Sequence, residues 1–285
     1  MTNTMPPRPE LKTRAKRWMA QALGACVALG AAIAAAQLLA DAFLQRSGGA
    51  LPLYYWATAT HDIQSGVTLS AQGLFAALRL EEAGFGISVA VTAAALGTFL
   101  LVRLAVAVVL APLRAGCLDN LWAVQRGTPR PLRAVFGWYT DLRRAGRAVL
   151  LELILTLVQM VLMGVGCIPA LAVLVGSGGS LTGFTAAIWL MLAAQAAVWC
   201  AMTQLTPART LLARRCDAGV GAALRQCRDV LRSRRGQYLV FRLSFWFWEL
   251  LNNLSRGILY LYLFPYRGLA DLAWIEEAEL LNAEC

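Results

Sequence analysis

The residues best suited to chemistry form a polar stripe inside the last apolar stretch of this sequence. Asn252, Asn253 and Arg256 follow Glu249 by three, four and seven residues, so all four share one face of a helix. Arg242 lies seven residues before Glu249 on the same face. A charge in lipid is costly unless it is paired or hydrated. The stripe therefore predicts either a packing seam between helices or the lining of an aqueous cavity or transport path.

Other apolar stretches carry polar residues that would complete this candidate site. Arg103 could supply the counter-charge for Glu249, and Gln159 and Gln195 are expected to face the same interior. Glu152 lies only one turn from the basic end of its stretch. Because its side chain could extend toward the preceding arginines at that end, we leave it out of the site.

Motifs of known enzyme chemistry are absent from the sequence. No P-loop, His-Glu-x-x-His or Gly-x-Ser-x-Gly motif occurs. There is a single histidine, His61, and the 7 cysteines form no Cys-x-x-Cys pair. We therefore expect no metal, no cofactor and no enzymatic activity.

The elements that position these residues must be membrane helices. Of 285 residues, 59% are hydrophobic and only 15% are charged, and the mean hydropathy is +0.58. A bilayer crossing needs about 20 apolar residues. Five stretches are long enough, and they cover residues 18–43, 86–113, 148–175, 182–205 and 238–266. The predicted fold is an all-α, polytopic transmembrane bundle: a basic N-terminus over 1–17 and one integral membrane domain over 18–285.

Lysines and arginines alternate between the two sides of these stretches. The segment before the first stretch contains 5 of them, and the four connections between consecutive stretches contain 2, 7, 0 and 8. This alternation predicts a multi-pass protein of the bacterial cytoplasmic membrane with a cytoplasmic N-terminus. It also explains the net charge of +10 without nucleic acid. The first stretch is too long for the core of a cleaved signal, so we expect it to be retained.

The two basic loops are predicted to contain amphipathic helices lying in the lipid headgroups. In the first, five apolar residues are expected on one face: Leu132, Val135, Phe136, Tyr139 and Leu142. In the second, the apolar stripe contains Val220, Leu224, Cys227 and Leu231. The arginines expected to contact anionic headgroups are Arg133, Arg143, Arg144, Arg225, Arg228, Arg232 and Arg235.

Small residues predict a close helix contact in the first stretch. Ala22, Cys26, Gly30 and Ala34 recur every four residues. Such a ridge lets two helices approach closely, either within the chain or in a homo-oligomer or another membrane partner. The sequence leaves these alternatives open.

The C-terminal part of the chain resembles a bacterial integral membrane family called domain of unknown function 975. The strongest match is the run Leu243-Ser244-Phe245 through Trp248, then Leu250-Leu251, Leu254-Ser255, Gly257-Ile258 and Leu263-Phe264-Pro265-Tyr266. The resemblance covers about residues 110–277. It implies a membrane architecture and no particular activity. The family is mostly apolar or small where this chain has Glu249, Asn253 and Arg256, which makes the polar stripe peculiar to this protein.

The last stretch, 238–266, is long for one span and has two interpretations. It is either one kinked helix or two short segments that turn back near Ser255-Arg256-Gly257, which would make six spans rather than five. The first interpretation places the acidic C-terminal residues outside, and the second places them inside. For function, we expect a non-enzymatic scaffold or modulator of partners or lipid at the inner face. The alternative is a small-solute or ion permease that uses the polar stripe.

Overall fold

In the computed structural model of this chain, helices are the regular structure of the described part, and no strand occurs there. The structure describes residues 5–48, 93–177, 181–214, 219–232, 234–254 and 259–283. Within these ranges, only the backbone is described for residues 41–48, 93–100, 174–175, 181, 250, 253–254 and 283. A short 3₁₀ helix spans Leu132–Phe136. The α-helices are α1 (Arg8–Gln21), α2 (Leu23–Gly48), α3 (Ala93–Gln125), α4 (Gly137–Thr140), α5 (Leu142–Gly176), α6 (Leu181–Arg214), α7 (Val220–Leu231), α8 (Arg235–Leu243), α9 (Trp246–Leu254) and α10 (Tyr260–Ala283).

Four of these helices are long and apolar enough to cross a membrane, by length and composition. The qualifying segments in the described residues are Leu23–Ala40, Leu101–Gln125, Leu142–Val173 and Thr182–Arg214. They belong to α2, α3, α5 and α6 and correspond to the first four predicted stretches. Large apolar side chains such as Val161 and Trp189 are exposed on them, as expected where lipid is the solvent. The all-α membrane fold is therefore confirmed in its coarse form.

The first span begins later than the sequence predicts. The predicted start at residue 18 lies in α1, and the helix is interrupted at Ala22, whose φ is −134°. Leu11, Ala15 and Met19 form a buried stripe on α1, spaced four residues apart, which packs mainly on α10. Because the other faces of α1 carry charges, it is a separate amphipathic helix rather than an extension of the span.

The last predicted stretch is not one continuous helix. It is divided into α8, α9 and the beginning of α10, with a break at Ser244 and Phe245. Glu249 forms an ion pair with Arg267, although 18 residues of continuous helix would separate them by about 27 Å. The chain therefore reverses between α9 and α10, and the interpretation as a single kinked helix is wrong.

Aromatic side chains form the core that joins this reversed segment. Tyr238 packs against Trp274 with 4.7 Å between ring centroids, and Phe245 packs against Tyr266 at 5.5 Å. All four residues are buried. Aromatic pairs at such distances stabilise a fold beyond the burial of their area. The core thus fixes α8 and the α8–α9 break against α10.

Close packing of α2 against α10 depends on Gly30. A Cβ atom added at Gly30 would collide with the backbone of Leu261. The predicted small-residue ridge therefore serves an intramolecular contact at this position. Only glycine allows two helix backbones to approach this closely.

The first basic loop does not present one apolar face. A 3₁₀ helix, the four-residue α4 and a break at Asp141 replace the predicted helix. Because a 3₁₀ helix has three residues per turn and the chain breaks at Asp141, the five residues predicted to share one face do not do so. Val135 is buried, whereas Leu132, Phe136, Tyr139 and Leu142 are exposed.

The second basic loop contains α7, and its apolar side is covered by protein. Val220, Cys227 and Leu231 are buried and Leu224 is half-buried, with α6 and α10 packed against the helix. The prediction that this stripe enters the headgroups is therefore wrong. The arginines of α7 lie on its outer side, as the periodicity requires.

Candidate functional site

A cavity of about 260 Å³, lined by both apolar and charged side chains, lies between the helices of the bundle. Its wall is built from α2, α3, α5, α6, α8, α9 and α10. Pockets for drug-sized ligands start at about 300 Å³. The cavity therefore suits a hydrated ion or a small solute.

One end of the cavity holds a carboxylate between two guanidinium groups. Arg209 donates from Nε to Glu152 Oε2 at 2.9 Å and from Nη2 to Oε1 at 3.0 Å. Arg114 donates from Nη1 to Oε1 at 2.6 Å. The Glu152 side chain is only 7% exposed, whereas Arg114 and Arg209 are 25% and 33% exposed. Helices α3, α5 and α6 thus meet at a cluster with two positive charges and one negative charge.

Two further ion pairs of the cavity come from the reversed segment and α10. Asp271 accepts hydrogen bonds from Arg242 Nη1 at 2.7 Å and from the Tyr238 hydroxyl at 3.2 Å. Arg242 and Asp271 are 6% and 7% exposed. Glu249 of α9 forms an ion pair with Arg267 of α10. These two pairs are balanced in charge and hold α8 and α9 against α10.

Positive charge is in excess among the described residues that line the cavity. The lining arginines are Arg103, Arg114, Arg209, Arg242 and Arg267, and the lining acids are Glu152, Glu249 and Asp271. Arginines exceed acids by two. Since the wall is of low dielectric, this excess favours the entry of anions over cations.

The structure brings some of the predicted site residues together and separates others. Arg103, Gln159, Arg242 and Glu249 line the same cavity. Gln195 and Asn252 are buried but are not in the wall of the cavity. The side chain of Asn253 and all of Arg256 lie outside the described residues. The partner that the structure gives to Glu249 is Arg267, on α10.

Sequence reasoning missed Glu152 and the arginines that bind it. The prediction that Glu152 extends toward the preceding arginines is wrong, because Arg114 and Arg209 hold it inside the bundle. The sequence did contain a signal: no Lys or Arg lies three or four residues from Glu152, so its partner had to come from another helix. Arg114 and Arg209 each follow an intrahelical proline by two residues. Both lie just beyond the ends of the predicted stretches 86–113 and 182–205, so the charge alternation includes them among the loop residues.

The predicted membrane-surface arginines are all exposed. This holds for Arg133, Arg143, Arg144, Arg225, Arg228, Arg232 and Arg235. Arg144 pairs with Asp141 at 3.0 Å, and Arg228 lies 3.9 Å from Asp229. Such exposed pairs contribute little to stability. None of these seven arginines is in the lining of the cavity.

The comparisons with known proteins leave the assignment to the residues themselves. No family model, no curated protein and no solved structure matches this chain.

Proposed function

We propose that this chain is a non-enzymatic, multi-pass protein of the bacterial cytoplasmic membrane that carries a small solute through the charged cavity. The observation that supports this proposal is the cavity itself, with its lining of five arginines and three acids. Charged groups inside a membrane bundle are costly and typically mark a solute or ion pathway. A packing seam alone would need no such space.

The proposed topology has four spans and a hairpin that enters and leaves on the same side. This is the six-segment version of the architecture, in which α9 and the first turns of α10 line the cavity. The interruption of helices there is tolerated because backbone at membrane depth can line a polar cavity. We further propose membership in the family domain of unknown function 975, from the residues over 243–266.

The orientation follows from the distribution of positive charge. The N-terminus and the two arginine-rich loops are proposed to be cytoplasmic. Arg14 of α1 pairs with Glu277 of α10 at 3.2 Å, and Arg214 pairs with Glu279. An even number of crossings brings all these elements to one side. The exposed residues of the first basic loop then lie at the inner membrane surface.

Water access to the cavity from both sides of the membrane would test the permease function. In a cysteine-free background, Gln159→Cys places a thiol in the cavity wall. Leu157→Cys, two residues away on α5, is the matched control because Leu157 is 49% exposed on the outside of the bundle. A membrane-impermeant thiol reagent is applied to right-side-out and to inverted vesicles.

We expect Gln159→Cys to be labelled in both vesicle preparations and Leu157→Cys in neither. Labelling from both sides at one depth requires a water-filled pathway that reaches this site from each side of the membrane. Labelling of Gln159→Cys from one side only, or from neither, would contradict the permease function.

A second function, as a scaffold or modulator at the inner face, is supported by the exposed arginines of α7 and the first loop. Phe136, Tyr139 and Leu142 are exposed beside Arg143 and Arg144. Apolar residues flanked by arginine are typical of surfaces that contact anionic lipid.

The lipid contact can be measured by mass spectrometry of phospholipid that co-purifies with the protein. Replacing Arg225, Arg228 and Arg232 by Gln should lower the amount of bound phosphatidylglycerol, while Gln159→Cys labelling stays unchanged. Equal lipid retention in both proteins would argue against this second function.

A further inference from the structure

We infer that the solute is a small oxyanion, and that Glu152 is a tethered carboxylate which occupies the oxyanion's binding position until the solute displaces it. This inference rests on the proposed function. It names the class of solute and the residues that recognise it.

The geometry around Glu152 is that of a guanidinium fork binding an oxyanion. Nε and Nη2 of Arg209 donate to the two carboxylate oxygens at 2.9 and 3.0 Å, and Arg114 adds a third donor at 2.6 Å. Arginine forks match carboxylate and phosphate groups in this bidentate way. A free oxyanion would find the same donors if the carboxylate of Glu152 moved aside.

The charge balance favours a solute that brings negative charge. Two arginines share one carboxylate at this end, and arginines exceed acids by two over the whole described lining. Arg114 and Arg209 are half-buried, with 25% and 33% of their side chains exposed, and a half-buried guanidinium without a counter-ion is unfavourable. When Glu152 moves aside, an incoming oxyanion takes its place beside the two arginines, and the added negative charge offsets the excess of arginines in the lining.

The neighbouring surface of α5 and α6 can bind the remaining oxygens of such a solute. Thr156 and Gln159 follow Glu152 by four and seven residues, so all three share the face of α5 that lines the cavity. Thr203 of α6 lines it as well. Hydroxyl and amide groups donate hydrogen bonds to oxyanions. The cavity of about 260 Å³ holds a phosphate or a short carboxylate with a few waters.

The shared chemistry is a compact anionic group with two or more oxygens, and it has two sources. One is a free anion such as inorganic phosphate, and the other is the phosphate of a lipid headgroup. Both would meet the same arginines. The experiment therefore uses a probe for each source.

The test compares phosphate binding to three full-length proteins purified in a neutral detergent. Inorganic phosphate is titrated at constant ionic strength, and binding is measured by calorimetry. Glu152→Gln keeps the shape of the side chain but removes the competing charge. Because close charge pairs couple by more than 1.4 kcal/mol, we expect about tenfold tighter phosphate binding or more. Glu249→Gln is the control, since it removes a charge from the same cavity but releases only one arginine.

Equal tightening in both variants would overturn the inference, because it would reflect the general field of the cavity rather than displacement of Glu152. Unchanged or weaker binding to Glu152→Gln of both phosphate and the headgroup probe described below would overturn it as well. If Glu152→Gln fails to fold, Arg209→Lys replaces it, since lysine keeps the charge and lacks the fork. Phosphate binding to Arg209→Lys should weaken several-fold, and unaltered affinity would contradict the inference.

A second arm replaces phosphate by dihexanoyl phosphatidic acid as the headgroup probe. Tighter binding to Glu152→Gln with either probe supports the inference and identifies the source. Failure with both probes overturns it. The labelling of Gln159→Cys uses no anion, so the permease function can stand when the oxyanion inference fails.

Discussion

At the residue scale, buried ion pairs between helices distinguish this protein from an ordinary apolar bundle. Arg242 and Asp271 are 6% and 7% exposed, whereas Arg228 and Asp229 are 69% and 64% exposed. The two pairs contain the same residue types in opposite environments. Removing one partner of a buried pair leaves a charge in low dielectric, while an exposed charge stays hydrated.

We therefore predict that Asp271→Asn lowers the free energy of unfolding by about 3 kcal/mol. Asp229→Asn should change it by less than about 0.5 kcal/mol. Unfolding in SDS, followed by tryptophan fluorescence, measures both variants. Equal effects would show that the buried pair gives no special stabilisation.

The thiol of Cys227 is predicted to be unreactive in the folded protein. It is 2% exposed on the covered side of α7, and burial raises its pKa to about 12. Only the thiolate is nucleophilic, and at pH 8 a pKa of about 12 leaves roughly one thiol in ten thousand ionised. As the pH rises toward 12, the thiolate fraction increases.

Alkylation by iodoacetamide at pH 8, in a variant that keeps Cys227 alone, checks this prediction. The same protein dissolved in SDS is the positive control and should react fully. Equal rates in the folded and dissolved states would mean that α7 does not stay packed.

At the element scale, the approach of α2 to α10 depends on one glycine. A Cβ at Gly30 would meet the backbone of Leu261, whereas a Cβ at Gly24 meets nothing within 4 Å. We predict that Gly30→Ala forces the two helices apart and lowers the thermal unfolding midpoint by several degrees. Gly24→Ala in the same helix should leave it unchanged or slightly raise it, since alanine favours helix. Equal midpoints for the two variants would contradict the close contact.

The elements differ in how well the sequence predicts them. Helices α2, α3, α5 and α6 are found from local hydrophobicity because each contains a long apolar run. The reversal between α9 and α10 depends on pairs far apart in the chain, such as Glu249 with Arg267, which no local pattern contains. The residues Ser255-Arg256-Gly257 indicate a turn, but from the sequence alone the turn is only an alternative to one kinked helix. The polar stripe predicts a packing seam or a cavity without deciding between them. The Glu152 cluster could not be predicted because its three members come from three helices.

At the scale of the whole molecule, acidic residues of α10 join the basic elements of one side. Glu277 binds Arg14 at 3.2 Å, Glu279 binds Arg214, and Glu276 accepts from Gln125 at 2.7 Å. The C-terminal part of α10 therefore lies on the side of α1. If the last stretch crossed the membrane once, the C-terminal part of α10 and α1 would lie on opposite sides.

We predict that fusions made after residue 283 report the same side as the N-terminus. A fluorescent protein fused there should be fluorescent, and alkaline phosphatase at the same site should be inactive, because the cytoplasm supports only the former. A fusion of phosphatase within residues 49–92 is the control for the outer side and should be active. The opposite pattern at the C-terminal fusion would exclude the hairpin topology.

The position of α10 along the chain sets the order in which this structure can be completed. Ribosomes make α1 and α6 before α10, so Arg14 and Arg214 are at first without the carboxylates that neutralise them in the finished protein. The first four spans are therefore inserted before the elements on the inner side of the membrane can pack, because that packing needs α10. A chain stopped before α10 would be embedded in the membrane and still be unfinished, with its cavity open and its positive charges available to proteases and chaperones.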